Sequence, residues 1–260
     1  METFVEWLGL PILASEHGSK IDDFIIYVHW LMGILFVGWF SYFLFCIYRF
    51  RASKNPRASY KGVQSHLSTY LEGAVALIEA VLLIFFAIPL WRSVVEDFPT
   101  QEEGALEIRV MAEQFGWNSR YAGTDGKFGS QDMIYASTEN KFGYDPEDAL
   151  GKDDIVPPLN DIRVPIGKPV KIYLSSLDVI HSFAVHPLRV QQDCIPGMTI
   201  PIHFQANKEG RFMITCAQLC GNGHFSMKGF MTVESQDAYD AWMLDMQATS
   251  GGGGGGGGFE

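Results

Sequence analysis

The chain has no Cys-x-x-Cys-His, the motif that fixes a c-type haem covalently, so it holds no covalent haem of its own. Cysteine is scarce: Cys46, Cys194, Cys216 and Cys220 are all there is, which excludes a disulfide-dense secreted scaffold. Positive charge is scarce too. With 19 Lys and Arg against 30 Asp and Glu the net charge is -11, which argues against nucleic acid and suits a basic protein partner. The start lacks the basic region of a signal peptide: Met1 to Asp23 carries Glu2, Glu6, Glu16, Asp22 and Asp23. An uncleaved or already mature N-terminus is expected.

The most telling absence is charge between Phe24 and Tyr48, where no Lys, Arg, Asp or Glu occurs. That run makes enough helix to cross ~30 Å of hydrocarbon. A second candidate, Leu71 to Trp91, holds Glu72 and Glu79 but is apolar from Ala80 to Leu90, with Pro89 its one helix breaker. The connecting loop has Arg49, Arg51, Lys54, Arg57 and Lys61 and no acid before Glu72. Short basic loops stay cytoplasmic, so both outer ends of this hairpin are expected outside, on the periplasmic side of a bacterial inner membrane.

From Leu106 the period changes from helical to two. Leu106, Ile108, Val110 and Ala112 alternate with Glu107, Arg109, Met111 and Glu113, as in a half-buried strand. Further strands are predicted over Asp161 to Val164, Val170 to Ser175, Phe183 to Val185, Thr199 to Gln205, Arg211 to Thr215 and Gly229 to Val233, which suggests a β-sandwich or barrel. Thr124 to Pro158 is polar, acidic and broken by glycines, as expected of a surface insertion or long loop. Tyr239, Trp242, Met243 and Met246 predict a terminal helix over Asp237 to Gln247. The glycine tract Gly251 to Gly258 is a flexible tether, either a linker or an inert terminus. The expected plan is an outer N-terminal segment (1–23), a transmembrane hairpin (24–92), a β-domain (93–247) and a Gly-rich tail (248–260).

The stretch from Cys216 to Met227 packs Cys216, Cys220, His224 and Met227 into one loop, and His181 arrives from a separate one. Thiolate and thioether ligands are soft and suit Cu(I), while imidazole serves both copper oxidation states. Structural zinc favours four cysteines, or two with two histidines, and no methionine. A mononuclear blue-copper site needs one cysteine; the second allows both sulfurs to bridge two copper ions that share an electron.

These residues resemble the CuA motif of cytochrome c oxidase subunit II, and the likeness covers about residues 20 to 247. Asp178-Val179-Ile180-His181-Ser182 and Ile195-Pro196-Gly197 also match that family's pattern. The resemblance implies a two-helix transmembrane hairpin, then an all-β cupredoxin-like sandwich with a short C-terminal helix. It implies a dinuclear copper cofactor held by His181, Cys216, Cys220, His224, Met227 and the carbonyl of Gln218, with bridging cysteines and one histidine per copper. Three departures stand out. Gln218 replaces the family's glutamate between the cysteines, which puts the magnesium site at the subunit I interface in doubt. In Gln114-Phe115-Gly116-Trp117, Phe115 takes the place of the tryptophan through which electrons enter; Trp117 is the substitute, or the donor docks differently. Cys194 is additional and is expected to be a small buried thiol. Glu72 matches a family glutamate at the mouth of a proton-uptake channel, whereas Glu79 has no counterpart and is expected to pair with a neighbouring subunit.

The function implied is to accept electrons from a c-type cytochrome and pass them to haem in subunit I, where oxygen is reduced and protons are translocated. The expected partners are subunit I, other oxidase subunits, the donor cytochrome, lipid and a larger respiratory supercomplex. The alternative is a copper-free structural subunit of a quinol oxidase, expected to lack the ligands that are present here.

Overall fold

The computed structural model describes residues 7–57, 60–62 and 64–251, so the glycine tract beyond Gly251 lies outside the described residues. The described residues divide into a helical unit over Lys20–Ser93 and a second unit formed by residues 7–19 together with 94–251.

The helical unit has two long helices. Helix α1 spans Gly18–Arg49 and starts ahead of the uncharged run. The second runs over Leu67–Val95 and is built in three parts: α2 (Leu67–Leu82), one π-turn (Leu83–Ala87) and α3 (Ile88–Val95). Pro89 explains the π-turn, because its ring opposes the carbonyl four residues back and it has no N–H to donate. Both helices are long and apolar enough to cross a membrane, and neither has its apolar window buried within the protein. Phe36 and Phe85 are about two-thirds exposed, at 67% and 68%.

The second unit is a sandwich of two sheets. One has the order β2-β1-β4-β7, the other β3-β9-β8-β5-β6. The strands are β1 (Leu106–Glu113), β2 (Gly116–Tyr121), β3 (Asp161–Pro165), β4 (Pro169–Ser176), β5 (His181–Val185), β6 (Val190–Cys194), β7 (Ile200–Gln205), β8 (Gly210–Cys216) and β9 (Lys228–Glu234). In β1 the alternation falls as its period requires: Ile108, Val110 and Ala112 are buried. They meet Ile172 and Leu174 of β4 and Phe183, Ile214 and Met231 of the other sheet in one core.

Strands β2 and β6 are absent from the sequence expectations, and both are edge strands. Strand β6, Val-Gln-Gln-Asp-Cys, is polar because an edge faces water. Strand β2 is different: Ser119 and Arg120 are buried, because the insertion after it folds back over that edge. Tyr121 and Ile155 exchange backbone hydrogen bonds, and the buried Arg120 pairs with Asp154. With Phe142 and Ile155 buried, the surface insertion also covers an edge, while most of its residues stay exposed or half-buried. The terminal helix α4 (Gln236–Gly251) buries Tyr239 and Trp242 and sets Trp242 edge-on to Tyr121, 5.3 Å between ring centroids.

Candidate metal centre

The strand register assembles the cluster. Strand β8 ends at Cys216, antiparallel β9 begins at Lys228, and residues 217–227 connect them. Strand β5 begins at His181, and Phe183, two residues on, pairs with Cys216. The start of β5 and the end of β8 therefore lie side by side at one end of the sandwich.

Two half-sets of donors result. In one, Cys216 Sγ lies 3.9 Å from His181 Nδ1 and 3.1 Å from the Gln218 carbonyl oxygen. In the other, Cys220 Sγ lies 3.6 Å from His224 Nδ1 and 3.7 Å from Met227 Sδ. The two Sγ atoms are 3.8 Å apart and both thiols are free, well outside the ~2.05 Å of a disulfide. His181, Cys216 and Cys220 alone form a group able to hold a metal ion, their ligand atoms within 4.8 Å of one another. Two thiols at the middle, each with its own imidazole and one further donor, fit a copper pair better than one tetrahedral ion. Among the residues expected to act, His181, Cys216, Gln218, Cys220, His224 and Met227 come together here, while Glu72 lies on α2 and takes no part in the cluster.

The surroundings orient the donors. His181 is fully buried and its Nε2 donates to Asp178 Oδ1 at 2.9 Å, which leaves Nδ1 free to face Cys216. Burial pushes the Asp178 carboxyl up, but bonds from His181 and from the Gln114 and Val179 N–H groups outweigh it and hold it below its usual range. In the metal-free protein burial, and then the neighbouring Cys216, push the Cys220 thiol up to about 11. A metal held at Cys220 would displace that proton, which would link metal binding to thiol ionisation.

The two residues expected at electron entry differ in exposure. Trp117 is completely buried, its ring 6.3 Å from that of His181, and it offers no surface on which a donor could dock. Phe115 is 39% exposed and packs over the ligand loop, so the surface position is Phe115. Cys194 is buried as expected, opposite His181 in the β5–β6 register. Asp178, Gln114, Gly221 and Gly223 are structural partners of the site that ligand chemistry did not single out. An acid three residues before a ligand histidine, and two glycines inside a ligand loop, are signals for Asp178, Gly221 and Gly223; Gln114 has none of its own.

Residues 106–235 match the family model for the cytochrome c oxidase subunit II periplasmic domain. The chain is 32% identical over 248 residues to the alternative cytochrome c oxidase subunit 2 of Bradyrhizobium diazoefficiens, covering 95% of this chain and 87% of that one. It is 28% identical over 236 residues to cytochrome c oxidase subunit 2 of Cereibacter sphaeroides, covering 83% and 75%. Among solved structures it is similar to the periplasmic domain of subunit II of cytochrome oxidase of Bradyrhizobium japonicum, with 26% identity, TM-score 0.41, and coverage of 55% of this chain and 94% of that one. On the matched domain and on a relative aligned over nearly its whole length, the chain belongs to the cytochrome c oxidase subunit II family.

Proposed function

We propose that this chain accepts electrons from a c-type cytochrome at a dinuclear copper centre and passes them to haem in the oxidase's subunit I. The observation that supports this most is the pairing of two thiols 3.8 Å apart with an imidazole and one further donor on each side. Held there by His181, Cys216, Gln218, Cys220, His224 and Met227, a copper pair supplies one-electron chemistry with the charge shared between two metals. The protein's part is to keep the ligands still, which two sheets and the Asp178–His181 bond favour.

The charge of -11 favours steering of a basic donor. Phe115, exposed above the ligand loop, is the proposed point of electron uptake. Leu219 and Phe225, 78% and 90% exposed at the loop's tip, supply apolar surface for a partner chain, here assigned to subunit I. Gln218 presents an amide where the family's magnesium ligand stands, so no magnesium is assigned. The hairpin fits a membrane anchor, and the basic loop between the helices supports a periplasmic side for the β-unit. Glu72, in the second turn of α2, is proposed as a proton-uptake residue.

The test is rapid mixing of the assembled oxidase with a reduced c-type cytochrome. Reduction of a copper absorbance band before haem, with a rate that falls steeply as salt rises, is expected. Haem reduction without any copper intermediate, unaffected by Cys216→Ser, contradicts the proposal and favours a copper-free structural subunit.

A further inference from the structure

The two-residue connection between β1 and β2, Gln114 and Phe115, touches both ligand loops. The Gln114 backbone N–H donates to Asp178 Oδ2 at 2.7 Å, and Asp178 Oδ1 accepts from His181 Nε2 at 2.9 Å. The Gln114 side-chain Nε2 donates to the Cys220 carbonyl at 2.7 Å. One residue thus reaches the half-set of Cys216 and His181 through Asp178, and the half-set of Cys220, His224 and Met227 through the Cys220 backbone.

The glycines of the ligand loop make room for this connection. Gly221 has φ +134, and a Cβ there would stand 2.6 Å from Gln114 Nε2. A Cβ on Gly223 would stand 2.5 Å from the Phe115 ring. Both glycines are where the chain needs close approach, and Gly221 also adopts a backbone conformation that side chains disfavour. Asn would bring the same amide but could not span the distance that the glutamine side chain covers.

We propose that Gln114 is a positioning residue that sets the spacing of the two ligand half-sets, and that Phe115 ties the exposed docking surface to it. The proposal rests on the copper reading above. Gln114 is itself at the surface, so replacing it leaves no hole in the core. The amide is suited to the task because it donates to a carbonyl without adding charge beside two thiolates. Gln114→Leu removes the donor at similar length, and Gln114→Glu replaces it with an acceptor that repels the Cys220 carbonyl.

The experiment is a competition titration of copper on the full chain in detergent, with the electron paramagnetic resonance spectrum of the loaded protein and thermal unfolding of the copper-free protein. Supporting partners around metal ligands typically contribute a factor of 10–100 in affinity. Gln114→Leu is expected to weaken copper binding by about that factor and to make the hyperfine couplings of the two nuclei unequal, with copper-free unfolding nearly unchanged. A purely structural role would shift unfolding and leave the spectrum of the bound metal alone. Unchanged affinity and spectrum in both variants overturn the proposal; should Gln114→Leu fail to fold, Gln114→Glu decides it by the same readouts. A wild-type chain that binds no copper instead overturns the metal reading, and the clamp with it.

Discussion

The two units of this chain bury opposite things. In the β-unit Trp117, Phe183 and Ile172 are inside and, apart from the Arg120–Asp154 pair, charged side chains reach the surface; in the helical unit Phe36, Trp39 and Phe85 point outward and the apolar windows bury nothing within the protein. The same side chains, and the same cost of leaving them in water, suit inverted architectures where the medium differs, and the helical unit fits a lipid one. In lipid the helices satisfy their own backbone, and an apolar surface is the stable one. In water the sheets need two faces to make one dry core.

The sharpest way to break this comparison is at the cluster. Cys216→Ser or Cys220→Ser removes one of the two thiols at the middle of the cluster, so bound copper should fall from two per chain to one or none and cytochrome-driven reduction should stop. Metal analysis of the purified chain checks it, and two coppers retained in Cys216→Ser would break the assignment. Next in size is truncation of a large aromatic. Trp117→Ala should cost about 3–5 kcal/mol in the unfolding of the β-unit, whereas Phe36→Ala in α1 should cost far less in detergent, because lipid replaces what the ring touched. Equal losses would mean that Phe36 packs against a partner rather than lipid.

Most of the fold was legible in the sequence. The uncharged run, the basic loop and the period-two stretches each report one physical constraint, and each lies within a few residues of its element. Strands β2 and β6 were not legible because neither alternates: β6 sets Gln191, Gln192 and Asp193 between its two buried ends, and β2 is buried almost throughout, Ser119 and Arg120 included, by a segment that follows it in sequence. The metal donors were legible as residue types. The register that joins His181 to Cys216, and the Gln114 bonds that join the loops, are long-range and leave no local pattern. Phe115 and Trp117 could not be separated by sequence, since exposure is a tertiary property.

Charge placement sharpens the comparison further. Phe36→Lys should disfavour insertion of α1 by about 2.5–3.5 kcal/mol, read as lost membrane fraction, while Met213→Lys on the exposed face of β8 should stay within about 0.5 kcal/mol. The smallest effect expected is at Glu234. Burial pushes its carboxyl up, with Asp161 adding to the rise and Arg163 opposing it. A raised folded value means stability is fully present below the unfolded carboxylate value and is lost as pH rises through the folded one. Glu234→Gln should therefore stabilise the chain by a few tenths of a kcal/mol at pH 7 and by nothing at pH 3, seen in thermal melts at the two values. A loss at pH 7 would mean that the Arg163 pair outweighs burial.

The proposed copper pair stands or falls on Cys216, Cys220, His181 and His224. The most direct measurement is the copper content of the full chain together with its electron paramagnetic resonance spectrum. Two coppers per chain, with one electron coupled equally to two nuclei, is the result expected. One copper with a spectrum confined to a single nucleus, or no copper with Cys216 and Cys220 joined as a disulfide, would contradict it.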